Sequence, residues 1–228
     1  MTRYLKFARQ YDVKVLQNEL LTAMESQWQD HFNRNDYRGR WQSISLQSAS
    51  GKTNDISANY GVEGYRETPL LKRLPYIKSI LDEWQGPKEA IRLLALHPGA
   101  EIKPHRDRGC NYLNGVCRIH IPIQTNAKVQ FTVGGTELNL DAGSCWYIDF
   151  DQIHSIINNG ENIRIHLVID GIRNNWTDEY FAANGYDFEA EQKENKVDRE
   201  SALQIISELE RLGTPISKQL IADLKRSI

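Results

Sequence analysis

The feature that most constrains the fold is a series of short, alternating segments between Ala90 and Asp170. Apolar residues recur at every second position in most of them, which is the period of a strand with one face against a core. Turn-forming sequences such as HPGA, VGG, LDAGS and NNGEN separate the segments. The segments are AIRLLALH, CRIHIPIQ, VQFTV, TELNL, SCWYIDF, HSIIN and IRIHLVID. Strands this short and closely spaced predict an antiparallel sandwich or barrel.

Helical patterns flank this core. Apolar residues three or four apart predict an amphipathic helix over residues 12–31, which His31 closes, and a second helix from Leu74 to Trp84. The stretch between them, about 33–69, is rich in Gly, Asn and Ser and is predicted to be a loop. The last part of the chain is charged and helical, and it is interrupted at Gly213.

The expected organisation therefore has three parts. It comprises N-terminal helices and loops that pack on the barrel, the β core, and a C-terminal helical appendage, over residues 1–89, 90–176 and 177–228. The fold class is mainly β with flanking helices. The C-terminal helices are predicted to pack on the barrel or to form a homodimer contact.

Composition limits the expected partners. Hydrophobic residues make up 40% and charged residues 25% of the 228 residues, and the formal net charge is −2. These values are ordinary for a soluble protein and give no reason to expect a nucleic-acid partner. Because no stretch approaches the roughly 18 apolar residues of a membrane span, we predict a cytoplasmic protein without a membrane partner. The three cysteines lack CxxC spacing and are predicted to be reduced thiols, although a thiolate ligand near the turn at Cys110 stays open.

One pair of residues suggests a metal site. In KPHRDRG, His105 and Asp107 are two residues apart, so their side chains leave the same face if the segment is extended. His154 follows the apolar run SCWYIDF, and a barrel can bring the two strand ends together. Two histidines and one carboxylate form the facial triad that non-haem Fe(II) oxygenases use, although an H-x-D pair alone also occurs in surface turns.

The predicted strand IRIHLVID indicates an anion-binding group near the metal site. Arg164 and His166 share one face, and Ile165 and Leu167 share the other. An arginine that faces a barrel interior needs an anion, and a guanidinium fork suits the distal carboxylate of 2-oxoglutarate. CRIHIPI repeats the pattern with Arg118 and His120. An exposed sheet face also alternates polar with apolar residues, so neither segment is decisive alone.

Together, HPGAEIKPHRDRG, CRIHIPI and DQIHSIINNGENIRIHLVID resemble the aspartyl/asparaginyl β-hydroxylase family. The resemblance implies a double-stranded β-helix, or cupin-like jelly roll, that hydroxylates with Fe(II), 2-oxoglutarate and O2. It also implies that the metal and catalytic residues are His105, Asp107 and His154, and that Arg164 binds 2-oxoglutarate.

The resemblance implies further contacts and a substrate class. Arg118 and His120 are expected to contact 2-oxoglutarate or the substrate, and Trp41 to be either a pocket residue or part of the core. Animal members lack the acidic ligand, whereas Asp107 matches the proline 3-hydroxylase-like branch. This branch implies a small, amino-acid-like substrate. Two alternatives stay open, namely a cupin-type metalloenzyme that does not use 2-oxoglutarate and a non-enzymatic, ligand-sensing barrel.

Overall fold

The computed structural model describes residues 2–58, 64–195 and 199–227. In these ranges the strands are β1 (Tyr4–Gln10), β2 (Gln29–Asp30), β3 (Tyr37–Arg38), β4 (Trp41–Ser48), β5 (Arg66–Glu67), β6 (Lys88–Leu96), β7 (Glu101–His105), β8 (Val116–Gln124), β9 (Val129–Val133), β10 (Thr136–Leu138), β11 (Ser144–Ile148), β12 (His154–Asn158) and β13 (Arg164–Ile172). The helices are α1 (Val13–Met24), α2 (Pro75–Glu83), α3 (Asn175–Ala183), α4 (Phe188–Asn195), α5 (Arg199–Leu212) and α6 (Pro215–Ser227).

Two antiparallel sheets form the core. The larger sheet has the order β1-β11-β8-β13-β6-β4-β2, with β5 paired to β4, and the smaller has the order β10-β9-β12-β7-β3. From β6 to β13 the chain alternates between the two sheets, except at the hairpin of β9 and β10. This path is that of a double-stranded β-helix, which is a jelly roll of two facing sheets. The predicted fold class is confirmed, and its eight strands all lie between residues 88 and 172.

Side chains from both sheets pack into one apolar layer. Leu96 and Ile148 of the larger sheet belong to the same buried cluster as Ile102, Phe131 and Ile156 of the smaller sheet. Burial of each of these side chains contributes about 1.5–3 kcal/mol relative to an exposed position. The alternation read from the sequence therefore marks the residues that hold the two sheets together.

The segment predicted as loop contains the strand β4, so that part of the prediction is wrong. β4 pairs with β6 from Trp41 opposite Leu96 to Gln47 opposite Ile91. Its inward side chains include serines, so the sequence of β4 lacks the continuous apolar run that predicts a strand buried on both faces. Ser45 donates its hydroxyl to the carbonyl of Asp55 at 2.7 Å, so the buried polar group is satisfied.

The N-terminal region also differs from the prediction. β1 was not expected, yet it pairs with β11 and buries Leu5 and Phe7 on one face. α1 ends at Met24, earlier than the predicted residue 31, and Trp28 lies beyond it. Residues 1–89 thus supply strands to the larger sheet in addition to the helices that were predicted to pack on it.

The chain forms two compact units. The larger spans Arg3–Tyr186, and the second begins at Asp187, ten residues later than the predicted boundary at 177. In the second unit the predicted helix break at Gly213 is present between α5 and α6. Gly213 has a φ of 62°, a left-handed backbone conformation that glycine adopts more readily than other residues. On α5 of this unit, Ile206 is buried and Leu203 is exposed. No helix of the described residues has the length and apolar character that a membrane span requires.

Candidate metal centre

Two strands of the smaller sheet bring the histidines together. His105 ends β7 and His154 begins β12, and the two residues lie opposite each other in the antiparallel pairing. Their ring centroids are 4.2 Å apart. Asp107 follows β7, and its backbone N–H donates to the carbonyl of Phe150 at 2.9 Å, which ties this loop to the segment before β12. Potential ligand atoms of the three residues lie within 4.8 Å of one another.

Backbone carbonyls orient both imidazole rings. His105 Nδ1 lies 2.8 Å from the carbonyl of Lys103, and His154 Nδ1 lies 3.0 Å from the carbonyl of Gln152. Because a carbonyl can only accept, each Nδ1 donates and the Nε2 lone pair is left for a metal. A hydrogen bond from the distal ring nitrogen is the usual support of a metal-binding histidine.

The carboxylate of Asp107 is divided between two tasks. Its Oδ2 accepts a hydrogen bond from Arg118 Nη1 at 2.8 Å. Its Oδ1 lies 3.6 Å from His105 Nε2, on the side of the histidines. One oxygen is therefore fixed by Arg118 while the other is placed for coordination.

Electrostatics keep His154 and Asp107 in their metal-binding forms at neutral pH. Burial lowers the pKa of His154 to about 4, so this imidazole is neutral. Burial by itself would raise the pKa of Asp107, but Arg118, His154 and His105 outweigh it and hold that pKa below its ordinary value. Neutral imidazoles and a charged carboxylate are the donors of a 2-His-1-carboxylate site, so these residues fit Fe(II).

The triad opens into a cavity of about 300 Å³. One part of its wall is apolar and would exclude water from the metal, whereas another part carries arginines. The apolar lining includes Leu94, Ile102, Phe150, Ile156 and Val168, and the guanidinium groups are those of Arg92, Arg108, Arg118 and Arg164.

Arg164 lies in this wall as a buried cation. It is 1% exposed, and within the described part of the chain no carboxylate forms an ion pair with it. Its Nη2 donates to His166 Nδ1 at 2.9 Å, the guanidinium lies over the Phe131 ring at 5.6 Å, and its Nε has no hydrogen-bond partner among described residues. Burial lowers the pKa of Arg164 to about 9, so the group is still charged at pH 7. A buried charge without a counterion calls for an anionic ligand.

His120 and His166 form a neutral pair beside Arg164. Burial, and then the charge of Arg164, lower both pKa values well below the ordinary range. His166 Nδ1 accepts from Arg164, and His120 Nδ1 lies 3.4 Å from the same atom. His120 lines the cavity, and its Nε2 has no partner among the residues described. The structure thus brings His120 to the predicted site.

Arg118 reaches the cavity but is already engaged by carboxylates. Its Nε and Nη2 contact the two oxygens of Asp170 at 2.6 and 3.2 Å, and its Nη1 contacts Asp107. It was predicted to grip the substrate or 2-oxoglutarate. Its observed contacts give it a further task, which is to orient the carboxylate of the triad.

Trp41 lines the cavity, and so does His31, which sequence reasoning assigned to a helix end. The two rings stack with centroids 3.6 Å apart and an interplanar angle of 11°, and Phe32 stacks on the other side of His31 at 4.5 Å. The assignment of His31 was wrong because α1 ends before it, and β2 then leads the chain to the cavity. His97 lies outside the metal centre, and its Nε2 is 3.0 Å from Gln42 Oε1.

Sequence reasoning also missed Arg92 and Asp170. Both are buried, and they form an ion pair of 2.8 Å. A signal was available, since Asp170 is in phase with Arg164 and His166 along one strand. Arg92 of β6 pairs with Val168 of β13, so its side chain leaves the same face of the sheet as those of Arg164, His166 and Asp170.

Comparison with solved structures gives partial likenesses. An oxidoreductase of the 2OG-Fe(II) oxygenase family from Burkholderia pseudomallei is 11% identical with a TM-score of 0.48, over 70% of this chain and 79% of that one. A prolyl-4-hydroxylase from Pseudomonas putida is 11% identical with a TM-score of 0.45, over 75% of this chain and 93% of that one.

Sequence comparison reaches further. L-proline cis-3-hydroxylase 1 from a Streptomyces species is 26% identical over 137 residues, which are 58% of this chain. The chain spans about half of that relative, 47% of its length. The family model described as aspartyl/asparaginyl beta-hydroxylase matches residues 10–174, which include all of the cavity residues described above. The chain therefore belongs to the aspartyl/asparaginyl beta-hydroxylase family.

Proposed function

We propose that the protein is an Fe(II)- and 2-oxoglutarate-dependent hydroxylase that acts on a carbon of an amino acid or amino-acid derivative. The observation that carries the proposal is the burial of Arg164, without a carboxylate partner among described residues, in the wall of the cavity that also holds the His105, Asp107 and His154 triad. Membership of the family and the presence of Asp107, as in its proline 3-hydroxylase-like branch, support it.

Each residue has a defined task in this proposal. His105, Asp107 and His154 would hold the metal, as a 2-His-1-carboxylate donor set does in non-haem Fe(II) oxygenases. Arg164 binds the distal carboxylate of 2-oxoglutarate, and His166 orients the guanidinium by accepting from its Nη2. When bound, the iron supplies the oxidation by O2 that converts 2-oxoglutarate to succinate and CO2 and inserts an oxygen atom into a substrate C–H bond.

The triad and Arg164 can be tested without knowledge of the substrate. Under anaerobic conditions, Fe(II) followed by 2-oxoglutarate should produce a visible charge-transfer band. In Arg164→Ala the affinity for 2-oxoglutarate should fall about 30-fold or more, because a buried charge loses its partner. Metal affinity, followed with Co(II), should stay unchanged. Arg38→Ala is the matched control, since its side chain is 76% exposed.

The alternatives give different results. A cupin-type metalloenzyme that does not use 2-oxoglutarate would bind Fe(II), but Arg164→Ala would not change its response to 2-oxoglutarate. A ligand-sensing barrel without catalysis would form no charge-transfer band and no succinate. If Arg164→Ala bound 2-oxoglutarate as tightly as the wild type, the proposed function would be wrong.

A homodimer through the C-terminal helices is also proposed. Its support is apolar exposure, since Leu212 is 66% and Ile216 74% exposed in this unit. Light scattering of the protein and of Ile216→Glu tests it, because a dimer through this face should dissociate in the variant. We also propose a cytoplasmic location, which the lack of a disulfide at Cys110, Cys117 and Cys145 supports.

A further inference from the structure

Arg92 is a second cation in the cavity wall with unused hydrogen-bonding capacity. The residue is 5% exposed and lies on β6, opposite Val168 of β13, which also lines the cavity. Its Nη2 pairs with Asp170 Oδ2 at 2.8 Å, whereas its Nη1 makes only a long contact of 3.4 Å to the carbonyl of Ile56. Its Nε is buried and has no partner among the described residues. A guanidinium has five N–H donors, so the Asp170 pair leaves several of them available.

Asp170 is shared between two arginines. Arg118 Nε and Nη2 contact its oxygens at 2.6 and 3.2 Å, in addition to the Arg92 pair. Arg118 Nη1 also donates to Asp107 Oδ2 at 2.8 Å. Of the two arginines, Arg92 is therefore the one with donors left for a ligand. It is linked to the metal centre through Asp170, Arg118 and Asp107 in succession.

The charges of the cavity favour one more anion. Around the metal centre, the guanidinium groups of Arg92, Arg118 and Arg164 outnumber the carboxylates of Asp107 and Asp170 by one. The charges of a divalent cation and of dianionic 2-oxoglutarate cancel each other. Among the described lining residues, the two other charges, those of Asp36 and Arg108, also cancel. Within the described part of the cavity, one positive charge is thus left without a counterion.

We propose that Arg92 binds a free carboxylate of the substrate and so selects unblocked amino acids over residues within a peptide chain. This inference rests on the proposed function and narrows its substrate class. Asp170 is the positioning residue, because it fixes the Arg92 guanidinium and leaves its other donors for the ligand. A bidentate guanidinium–carboxylate pair supplies orientation as well as affinity.

The experiment uses the full chain loaded with Fe(II) and 2-oxoglutarate. Free L-amino acids and their α-carboxamides are compared for stimulation of succinate formation. For the best acid, kcat/KM in the wild type should exceed that of its amide by about 30-fold or more, as expected when a buried charge pair loses one partner. In Arg92→Gln, kcat/KM for the acid should fall by a similar factor, while that for the amide changes by less than about threefold.

Several controls separate this inference from the function on which it rests. The charge-transfer band with 2-oxoglutarate should be unchanged in Arg92→Gln, because Arg164 is intact. Arg38→Gln should behave as the wild type, since Arg38 lies at the surface. Arg92→Lys keeps the positive charge but cannot form a bidentate pair with a carboxylate. Its kcat/KM for the acid should therefore lie between those of the wild type and Arg92→Gln. It replaces Arg92→Gln if that variant does not fold.

Three results would overturn the inference. One is equal turnover of acids and amides by the wild type. Another is an unchanged preference for the acid in the Arg92 variants. The third is a panel in which no free acid stimulates succinate formation although the charge-transfer band forms, since the metal and 2-oxoglutarate sites would then be correct and the substrate class wrong.

Discussion

Replacing Asp170 with asparagine tests the ionic network that underlies the cavity. The side chain of Asp170 is 1% exposed and contacts Arg92 and Arg118 at distances of 2.6 to 3.2 Å. Asparagine has nearly the same shape and keeps one oxygen acceptor. It removes the only carboxylate that Arg92 contacts among the residues described, and it removes one of the two carboxylates, Asp107 and Asp170, that Arg118 contacts.

The expected loss of stability is large. Removing one partner of a buried ion pair costs ~3–5 kcal/mol, because the other charge stays buried without compensation. Asparagine still accepts a hydrogen bond, so we expect the lower end of that range for Asp170→Asn. In a chain of this size ~1 kcal/mol corresponds to about 2–4 °C, which gives a fall of roughly 10 °C in melting temperature.

Differential scanning calorimetry and urea unfolding measure this loss. The matched control is Asp82→Asn, since Asp82 pairs with Lys78 at a similar distance of 2.8 Å but has a side chain that is 62% exposed. An exposed pair contributes about 0.2–1 kcal/mol and is screened by salt. The loss in Asp170→Asn should persist at 1 M NaCl, where the Debye length is about 3 Å, because the network is buried.

A melting temperature of Asp170→Asn within about 2 °C of the wild type would contradict the ~3 kcal/mol expected for a buried pair. Equal losses of stability in the two variants, with the same response to salt, would contradict it as well. Either result would mean that solvent or rearranged side chains compensate the two arginines.

Other predictions address the metal site, acid stability and the cysteines. His154→Ala should lower Co(II) affinity more than about 100-fold, since the loss of a supporting residue already costs 10–100-fold; a competition titration checks this, and tight binding would remove His154 from the ligand set. Burial lowers the pKa of His31 from 6.5 to about 4, so between these pH values the unfolded chain binds a proton that the folded chain does not bind. The stability of the fold therefore decreases as the pH is lowered from about 6.5 to about 4. In His31→Phe the melting temperature should therefore decline less over that window than in the wild type, and parallel curves would contradict this. A thiol reagent should find no reactive cysteine in the native protein and three after denaturation, because Cys110, Cys117 and Cys145 are buried and form no disulfide; rapid labelling of the native protein would show that the core opens.

The sequence alone determined the β core and the candidate ligands. Residues 90–170 alternate with period two and are separated by turn-forming residues, so the strands of the double-stranded β-helix could be predicted without tertiary information. The phase of Arg164 with His166, ten residues after His154, was likewise a local property of one strand. The resemblance of these segments to a known family then gave each residue a predicted role.

Only the tertiary structure decided which polar residues share the cavity. Arg92 and Asp170 are 78 positions apart and meet because β6 and β13 are neighbours in the larger sheet. Trp41 reaches the cavity on β4, and His31 reaches it directly after β2. β4 gives no continuous apolar run because its inward side chains include serines, of which Ser45 donates to the backbone carbonyl of Asp55. Periodicity reports burial against apolar neighbours, whereas a buried polar group depends on partners that only strand pairing supplies.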